Sequence, residues 1–243
     1  MNELKARREL IDVCRLAYER GYICGTEGNF SMRLDGDRFL STPRGTCKGR
    51  LHPDDLVITD ALGQVTAAAA AGTQARSRLP STELPMHLAA YGARPDAQAV
   101  AHAHPTATVA FSVAGVSLSK CILPEVVCTL GVIPVAPYAT PSTDEVPNSI
   151  AGLIKEHDAV VLDHHGVLTV GGDIWDAFYK LETLEHHAQT MLIAHLLGGP
   201  KLLYSSQVKK LLDIRAVYGL TRPLPVSMLT SPDCSEPDPE TRT

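Results

Sequence analysis

The sequence Ala101-His-Ala-His-Pro105 follows the mainly apolar run 97–100 and predicts a buried strand that ends at the proline. In a strand, residues i and i+2 point to the same face, so His102 and His104 project together with Cα atoms about 6 to 7 Å apart. Two imidazoles in that arrangement can bind one divalent metal ion. We therefore favour a metal site over the alternative in which one histidine lies in the core and the other is exposed.

Helix and strand patterns follow one another on both sides of this strand. Ser81 or Thr82 is expected to cap a helix that begins there, whereas the segment 67–78 is compatible with a helix or an exposed loop. The predicted helices cover 3–20, 81–91, 105–114, 143–157, 174–197 and 205–218. The other predicted strands cover 30–34, 38–41, 56–59, 64–66, 133–136, 159–162 and 166–170.

These elements predict an α/β fold, a single layered domain in which helices flank a central, mostly antiparallel mixed sheet. A chain of 243 residues, 44% of them hydrophobic, fits one large domain, and we expect it to cover 1–222. Residues 223–243 combine prolines and acidic residues with almost no apolar pattern, which predicts a disordered tail.

Charge and cysteine usage narrow the class of protein. The formal net charge is −5 and no lysine- or arginine-rich run occurs, so we expect neither nucleic acid nor a membrane surface as a partner. No apolar run approaches the roughly 20 residues that a membrane-spanning helix needs. The six cysteines form no C-x-x-C pair and no apolar signal segment follows the charged start, which indicates a reducing, cytoplasmic setting.

A second pair of histidines, His164 and His165, follows an apolar strand. Adjacent strand residues point to opposite faces, so at most one of them can join the first pair, and Gly166 allows the backbone to turn close to a ligand. Three histidines with an open fourth position form a catalytic rather than a structural arrangement. Glu83 is a candidate for that fourth position or for a base.

The remaining histidines are not expected to be metal ligands. Two fall in mid-helix, where a packed or interface pair is more common, and the others have no partner at ligand spacing. They are His52, His87, His157, His186, His187 and His195.

Several separated motifs resemble the class II aldolase/adducin family in their order and approximate spacing. The likeness covers roughly residues 5–220. The motifs are Gly25-Thr-x-Gly-Asn29, Thr42-Pro-x-Gly45, Pro80-Ser-x-Glu83, Val100-x-His-x-His104, Ala136-Pro-Tyr-Ala-Thr140, His164-His165-Gly166 and Val217-Tyr-Gly-Leu220.

The resemblance implies a zinc-dependent enzyme, with Mn²⁺ or Co²⁺ as alternative ions. It implies His102, His104 and His165 as ligands, with Glu83 as a fourth ligand that becomes the acid/base when substrate binds. Tyr218 matches a tyrosine that reaches a neighbouring subunit's site. The resemblance also implies a homotetramer with sites at subunit interfaces. The implied phosphate-binding residues are Gly28, Asn29, Arg44, Gly45, Ser81 and Thr82.

Three positions depart from the family pattern. Glu27 stands inside the first loop, where a carboxylate that faced a phosphate would repel it. Arg44 replaces a small polar residue and can pair with a phosphate or a carboxylate. Leu123 takes the place of a tyrosine acid, and Glu125, two residues on, is the candidate replacement.

The expected reaction is the cleavage of a ketose 1-phosphate, such as L-fuculose 1-phosphate, to dihydroxyacetone phosphate and an aldehyde. The negative charge of the enediolate intermediate calls for a Lewis acid, which a metal ion supplies. The same chemistry allows a sugar-acid-phosphate decarboxylase, a pentulose-phosphate 4-epimerase or a thio-sugar-phosphate dehydratase. An alternative of another class is a non-catalytic, adducin-like interaction module.

Overall fold

The computed structural model describes residues 2–35, 37–66 and 78–220, together with the single residues 222, 224, 234 and 236. The segment 67–78, for which the sequence left helix and loop open, lies outside this part of the chain except for its last residue. Across the described residues, no helix combines the length and apolar character needed to cross a membrane.

Seven strands in the described part of the chain form one sheet in the order β3-β2-β1-β4-β7-β6-β5. Every neighbouring pair is antiparallel except β5 and β6, so the predicted mixed, mostly antiparallel sheet is confirmed. The strands are β1 Asn29–Arg33, β2 Phe39–Ser41, β3 Val57–Thr59, β4 Ala99–Ala103, β5 Val135–Ala136, β6 Ala159–Leu162 and β7 Gly166–Gly171.

Helices cover both faces of this sheet, as the fold prediction requires. The helices are α1 Glu3–Glu19, α2 Leu84–Ala93, α3 Thr106–Val113, α4 Pro124–Thr129, α5 Glu145–Ile150, α6 Leu153–Glu156, α7 Ile174–Leu196 and α8 Ser205–Asp213. Short 3-10 turns cover Lys48–Arg50, Pro53–Asp55 and Arg215–Tyr218.

The alternation of side chains in β4 determines where the histidines lie. Ala99, Ala101 and Ala103 face the larger core layer, where α7 packs directly against β4. Val100 and the fully buried His102 face the opposite layer, which α2 covers. Small side chains on one face and a histidine on the other therefore place His102 beside the start of α2.

Several predicted boundaries were wrong. The helix expected from 81 begins at Leu84, and its N-cap position is Glu83 rather than Ser81 or Thr82. Ser81 instead accepts a hydrogen bond from the Glu83 amide, a local turn that keeps the backbone out of the helix for three more residues.

Other predicted elements are shorter than their sequence patterns. The expected helix 143–157 is divided into α5 and α6, and the expected helix 205–218 ends as a 3-10 turn. Strand 64–66 is reduced to one bridge between Thr59 and Val65, and strand 133–136 to two residues. Helix α4 was not predicted, because six residues are too few to show a helical period.

Cys121 and Cys234 form a disulfide, a pairing that their spacing did not reveal because 113 residues separate them. The Cys121 amide donates to the Cys234 carbonyl, and the Ser205 amide donates to the Glu236 carbonyl. Cys234 and Glu236, which belong to the predicted tail, are therefore held against the domain. Most of 223–243 lies outside the described residues, so its disorder stays a prediction.

Candidate metal centre and active site

Three histidines converge at the end of β4. Their ligand nitrogens all lie within 4.8 Å of one another, and no other such group of histidine, cysteine or acidic residues occurs in the described chain. His102 lies in the strand, His104 follows it by one residue, and His165 comes from the turn between β6 and β7. The structure thus brings together the three residues for which the sequence predicts metal binding.

The turn between β6 and β7 separates the two adjacent histidines. His164 adopts a left-handed backbone with φ of 57°, and its exposed ring contacts Asp163 Oδ1 at 2.9 Å. His165 turns inward, and its Nε2 lies 3.2 Å from Glu83 Oε1. Only one of the pair joins the cluster, as expected, although a turn rather than strand alternation separates them.

The donor atoms of the cluster suit a divalent metal ion. His102 Nδ1 donates to the Val167 carbonyl at 2.9 Å, which leaves the Nε2 lone pair facing His104 Nε2 at 3.0 Å. Burial, with help from the neighbouring imidazoles, lowers the pKa of His104 to about 3, so its ring is neutral at ordinary pH. Convergent imidazoles are the donors that zinc and related ions prefer.

Glu83 closes the cluster from the start of α2. Its Oε2 lies 3.4 Å from His102 Nε2 and accepts a hydrogen bond of 2.7 Å from Asn29 Nδ2. Burial alone would raise the pKa of Glu83, but the facing His102 and His165 rings and the Asn29 amide hold it well below its usual range. The carboxylate is therefore ionised and anchored.

A buried hydrogen-bond network lies behind Glu83, and sequence reasoning missed it. Asn29 Oδ1 contacts His87 Nε2 at 2.6 Å, and Ser31 Oγ lies 2.7 Å from His87 Nδ1 and 2.9 Å from the Tyr91 hydroxyl. The spacing could have revealed it, because Glu83 and His87 are four apart on one helix and Asn29 and Ser31 are two apart on one strand.

Three loops adjoin the cluster, and they contain the residues predicted to bind phosphate. The Phe30 amide donates to Thr42 Oγ1, and Pro43 forms a bridge with Pro80, so the segments near 28, 44 and 81 are neighbours. Gly28 has a φ of +66°, and a Cβ there would lie 2.9 Å from the His102 carbonyl oxygen. Glycine at this position therefore lets the first loop approach the histidine cluster.

The predicted phosphate-binding side chains differ in their surroundings. Arg44, Gly45 and Thr82 are exposed, and the Thr82 hydroxyl accepts a hydrogen bond from Ser142 at 2.8 Å. The Asn29 amide is buried and engaged by Glu83 and His87. The loops are assembled next to the cluster, and their binding of phosphate stays a prediction.

Two charged residues near the first two loops lie close to the cluster, the exposed Glu27 and the buried Lys48. Glu27 Oε2 lies 3.4 Å from His104 Nδ1, so this carboxylate points toward the outer nitrogen of a proposed ligand. The buried Lys48 ammonium donates to the Thr26 carbonyl. Burial lowers the pKa of Lys48, while nearby groups that include Glu83 and Glu27 oppose that shift. Sequence reasoning missed Lys48 because one lysine in a turn gives no pattern.

Comparison with known proteins gives the family of this fold and site. The sequence profile of the class II aldolase and adducin N-terminal domain matches residues 8–192. The chain belongs to the class II aldolase and adducin family. Its sheet with flanking helices is the fold of that family.

Members of the class II aldolase and adducin family with different activities are about equally similar to this chain. An L-fuculose phosphate aldolase from Methanococcus maripaludis is 34% identical, covering 74% of this chain and 93% of that protein. A 3-oxo-tetronate 4-phosphate decarboxylase from Escherichia coli is 32% identical, covering 79% and 88%. The solved structure of YgbL from Klebsiella pneumoniae gives a TM-score of 0.77 at 29% identity, covering 87% and 99%.

Two residues predicted to act in the reaction, the family-matched Tyr218 and the candidate replacement acid Glu125, are not seen at the cluster. Glu125 is exposed and is the second residue of α4. Leu123 lies at the N-cap of the same helix and packs against the larger core layer. The backbone of Tyr218 ends the last 3-10 turn, and its side chain lies outside the described part of the structure. Their proposed roles in class II aldolase chemistry stay predictions.

Proposed function

We propose that this chain is a zinc-dependent lyase that cleaves a ketose 1-phosphate to dihydroxyacetone phosphate and an aldehyde. The observation that carries the proposal is the convergence of three imidazoles with the Glu83 carboxylate 3.2 to 3.4 Å from two of them. Retention of all four groups argues against a non-catalytic module of the adducin type, which has no need of them.

The proposed metal ligands are His102, His104 and His165, with Glu83 in the fourth position before substrate arrives. Imidazole nitrogens favour zinc over magnesium or calcium, while Mn²⁺ and Co²⁺ remain alternatives for the same donor set. When bound, the ion supplies Lewis acidity that stabilises the enediolate charge by several kcal/mol.

Glu83 is the proposed proton carrier of the reaction. An ionised carboxylate can remove a proton from substrate and return it to the carbon that becomes part of dihydroxyacetone phosphate. Asn29 donates to one of its oxygens, which keeps the carboxylate directed at the histidine cluster. Tyr218 of a neighbouring copy is the proposed partner group on the aldehyde side of the broken bond.

The adjoining loops support a phosphorylated substrate. Gly28 and Gly45 both have positive φ, so their backbone amides can line a concave anion site without a side chain in the way. Arg44 is an exposed cation on the second loop and can pair with phosphate oxygens. Ser81 and Thr82 add hydroxyls immediately before Glu83.

An exposed apolar surface supports the proposed assembly of several copies. A groove of about 350 Å³ between α3 and α7 is lined by apolar side chains that include Phe111, Val116 and Leu192. Nearby, Leu196 is 79% exposed at the end of α7. Apolar area of this kind is costly to leave in water and fits a subunit contact, as in the proposed homotetramer.

A second candidate reaction is decarboxylation of a sugar-acid phosphate. The observation that favours it is Arg44, which can bind a substrate carboxylate, together with Leu123 where an aldolase of this family would have a tyrosine acid. The chain is about as similar in sequence to a 3-oxo-tetronate 4-phosphate decarboxylase as to an L-fuculose phosphate aldolase, which also supports decarboxylation.

Product analysis with the zinc-loaded protein tests both reactions. We expect dihydroxyacetone phosphate from at least one deoxy-ketose 1-phosphate, and we expect the Glu83→Gln variant to form it at least about 100-fold more slowly. Release of CO₂ from a 3-oxo sugar-acid phosphate without dihydroxyacetone phosphate would replace the aldolase assignment by the decarboxylase. Absence of both products from metal-loaded protein would contradict the two assignments together.

A further inference from the structure

The hydrogen bonds behind Glu83 can be assigned a single direction. An ionised carboxylate only accepts, so the Asn29 side chain must donate Nδ2–H to Glu83 Oε2 over 2.7 Å. This fixes Asn29 Oδ1 as an acceptor, so His87 donates its Nε2–H to that oxygen over 2.6 Å. The orientation of the Asn29 amide therefore depends on which ring nitrogen of His87 carries the proton.

The deeper part of the network selects that ring nitrogen. With Nε2 protonated, His87 Nδ1 accepts from the Ser31 hydroxyl at 2.7 Å, and Ser31 in turn accepts from the Tyr91 hydroxyl at 2.9 Å. All four side chains behind Glu83 are buried. Burial lowers the pKa of His87 to about 3, which keeps one proton on the ring. The hydrogen bonds therefore all run in one direction and end at the Glu83 carboxylate: Tyr91 donates to Ser31, Ser31 to His87, His87 to Asn29 and Asn29 to Glu83.

We propose that His87 is a positioning residue that fixes the Asn29 amide and, through it, the placement of the Glu83 carboxylate. The inference rests on the proposed role of Glu83. Without the Nε2–H donor, the Asn29 amide is free to rotate, and its oxygen can then face the Glu83 carboxylate and repel it. Side chains that orient a metal ligand or base in this way typically change affinity or activity by about 10 to 100-fold when they are removed.

The test compares two buried histidines that each use Nε2 for one hydrogen bond. His87→Leu removes the donor to Asn29, whereas His87→Gln can replace it. The control substitutions are His187→Leu and His187→Gln. His187 lies on α7, away from the cluster, and its Nε2 donates to the Leu118 carbonyl at 2.9 Å. All four variants are full-length chains loaded with Co²⁺, whose visible absorption reports the ligand geometry.

We expect His87→Leu to keep one metal per chain, to shift the Co²⁺ spectrum toward that of Glu83→Gln, and to lower kcat about 10 to 100-fold with a smaller change in KM. His87→Gln should restore most of both signals, and neither His187 variant should alter them. An unchanged spectrum and kcat in His87→Leu would overturn the inference. So would equal losses in the His187 variants, because the effect would then be a general loss of folding.

A second variant keeps the inference testable if His87→Leu folds poorly. Asn29→Ala removes the group through which His87 acts, so this variant alone should shift the Co²⁺ spectrum toward that of Glu83→Gln. An unchanged spectrum in Asn29→Ala would overturn the proposal. The spectrum needs no substrate, so failure of every sugar phosphate tested would reject the proposed function and leave this inference to be decided by the metal signal.

Discussion

Gly166 lies so close to Ala103 that a Cβ at position 166 would stand 2.5 Å from the Ala103 carbonyl oxygen. The same Cβ would lie 2.6 Å from Cδ2 of the His104 ring. Neither neighbour can move easily, since one is backbone in β4 and the other belongs to the histidine cluster. The absence of a side chain at 166 is therefore a condition for the cluster to form.

Gly166→Ala is expected to displace His104 and weaken metal binding at least tenfold, with a stability loss of about 1 to 3 kcal/mol from overpacking. Metal content after dialysis and urea unfolding measure the two effects. The matched control is Gly92→Ala in α2, where an added Cβ meets nothing within 4 Å. That variant should bind metal normally and gain up to about 1 kcal/mol from helix propensity. Normal metal binding by Gly166→Ala would contradict this prediction, because it would mean that the backbone shifts enough to accommodate the added Cβ.

Asparagine substitutions at two adjacent positions distinguish the proposed metal ligand His165 from its neighbour His164. His165→Asn removes an inward imidazole and should reduce bound zinc well below one per chain, because two imidazoles and a carboxylate form a much weaker site. His164→Asn should keep full metal content, since His164 points outward and asparagine tolerates its left-handed φ of 57°. Elemental analysis of dialysed protein decides. Equal losses in the two variants would contradict the assignment of His165.

Local patterns predicted much of this site. The i, i+2 spacing of His102 and His104 was sufficient to place both on one face, because strand geometry repeats every two residues. The helix on which Glu83 is the N-cap was likewise visible as a start signal, although its first residue was misplaced by three. Such features depend on neighbours in sequence.

Features that depend on packing between distant segments were not predicted. His87 has no histidine at ligand spacing and is not expected to be a metal ligand, yet it hydrogen-bonds to Asn29 from 58 residues away. Lys48 and the disulfide partner Cys234 were missed for the same reason. Their importance arises only when the sheet and loops bring separate parts of the chain together.

Glu83→Gln tests the proton carrier separately from the metal site. The amide keeps the size of the side chain but cannot take up a proton, so turnover should fall about 100 to 10,000-fold. The three imidazoles remain, and zinc content should stay near one per chain. Steady-state kinetics on whichever sugar phosphate the wild type cleaves, together with metal analysis, gives the answer. Full activity would remove Glu83 from the acid/base role.

Asp158 forms ion pairs with three cationic side chains at the opposite end of the sheet from the histidine cluster. Its carboxylate lies 2.9 Å from Arg94 Nη1, 2.9 Å from Lys180 Nζ and in contact with Arg222. Burial would raise the pKa of Asp158, but Lys180 and Arg94 hold it below its usual value. Since the pKa is lower in the folded than in the unfolded chain, the carboxylate stabilises the fold above the unfolded pKa of about 3.9, and this contribution is lost as the pH falls further.

Asp158→Asn should therefore lower the free energy of unfolding by about 3 kcal/mol at pH 7, because it leaves buried cations partly unpaired. The deficit should stay constant down to about pH 5 and shrink below about pH 4, where the Asp158 carboxylate of the unfolded wild-type chain takes up a proton. Urea unfolding from pH 7 to pH 3 measures it. The exposed Asp12 on α1 provides the control, since Asp12→Asn should change stability by no more than about 0.5 kcal/mol. A deficit that persists undiminished at pH 3 would mean that packing, rather than charge, gives Asp158 its effect.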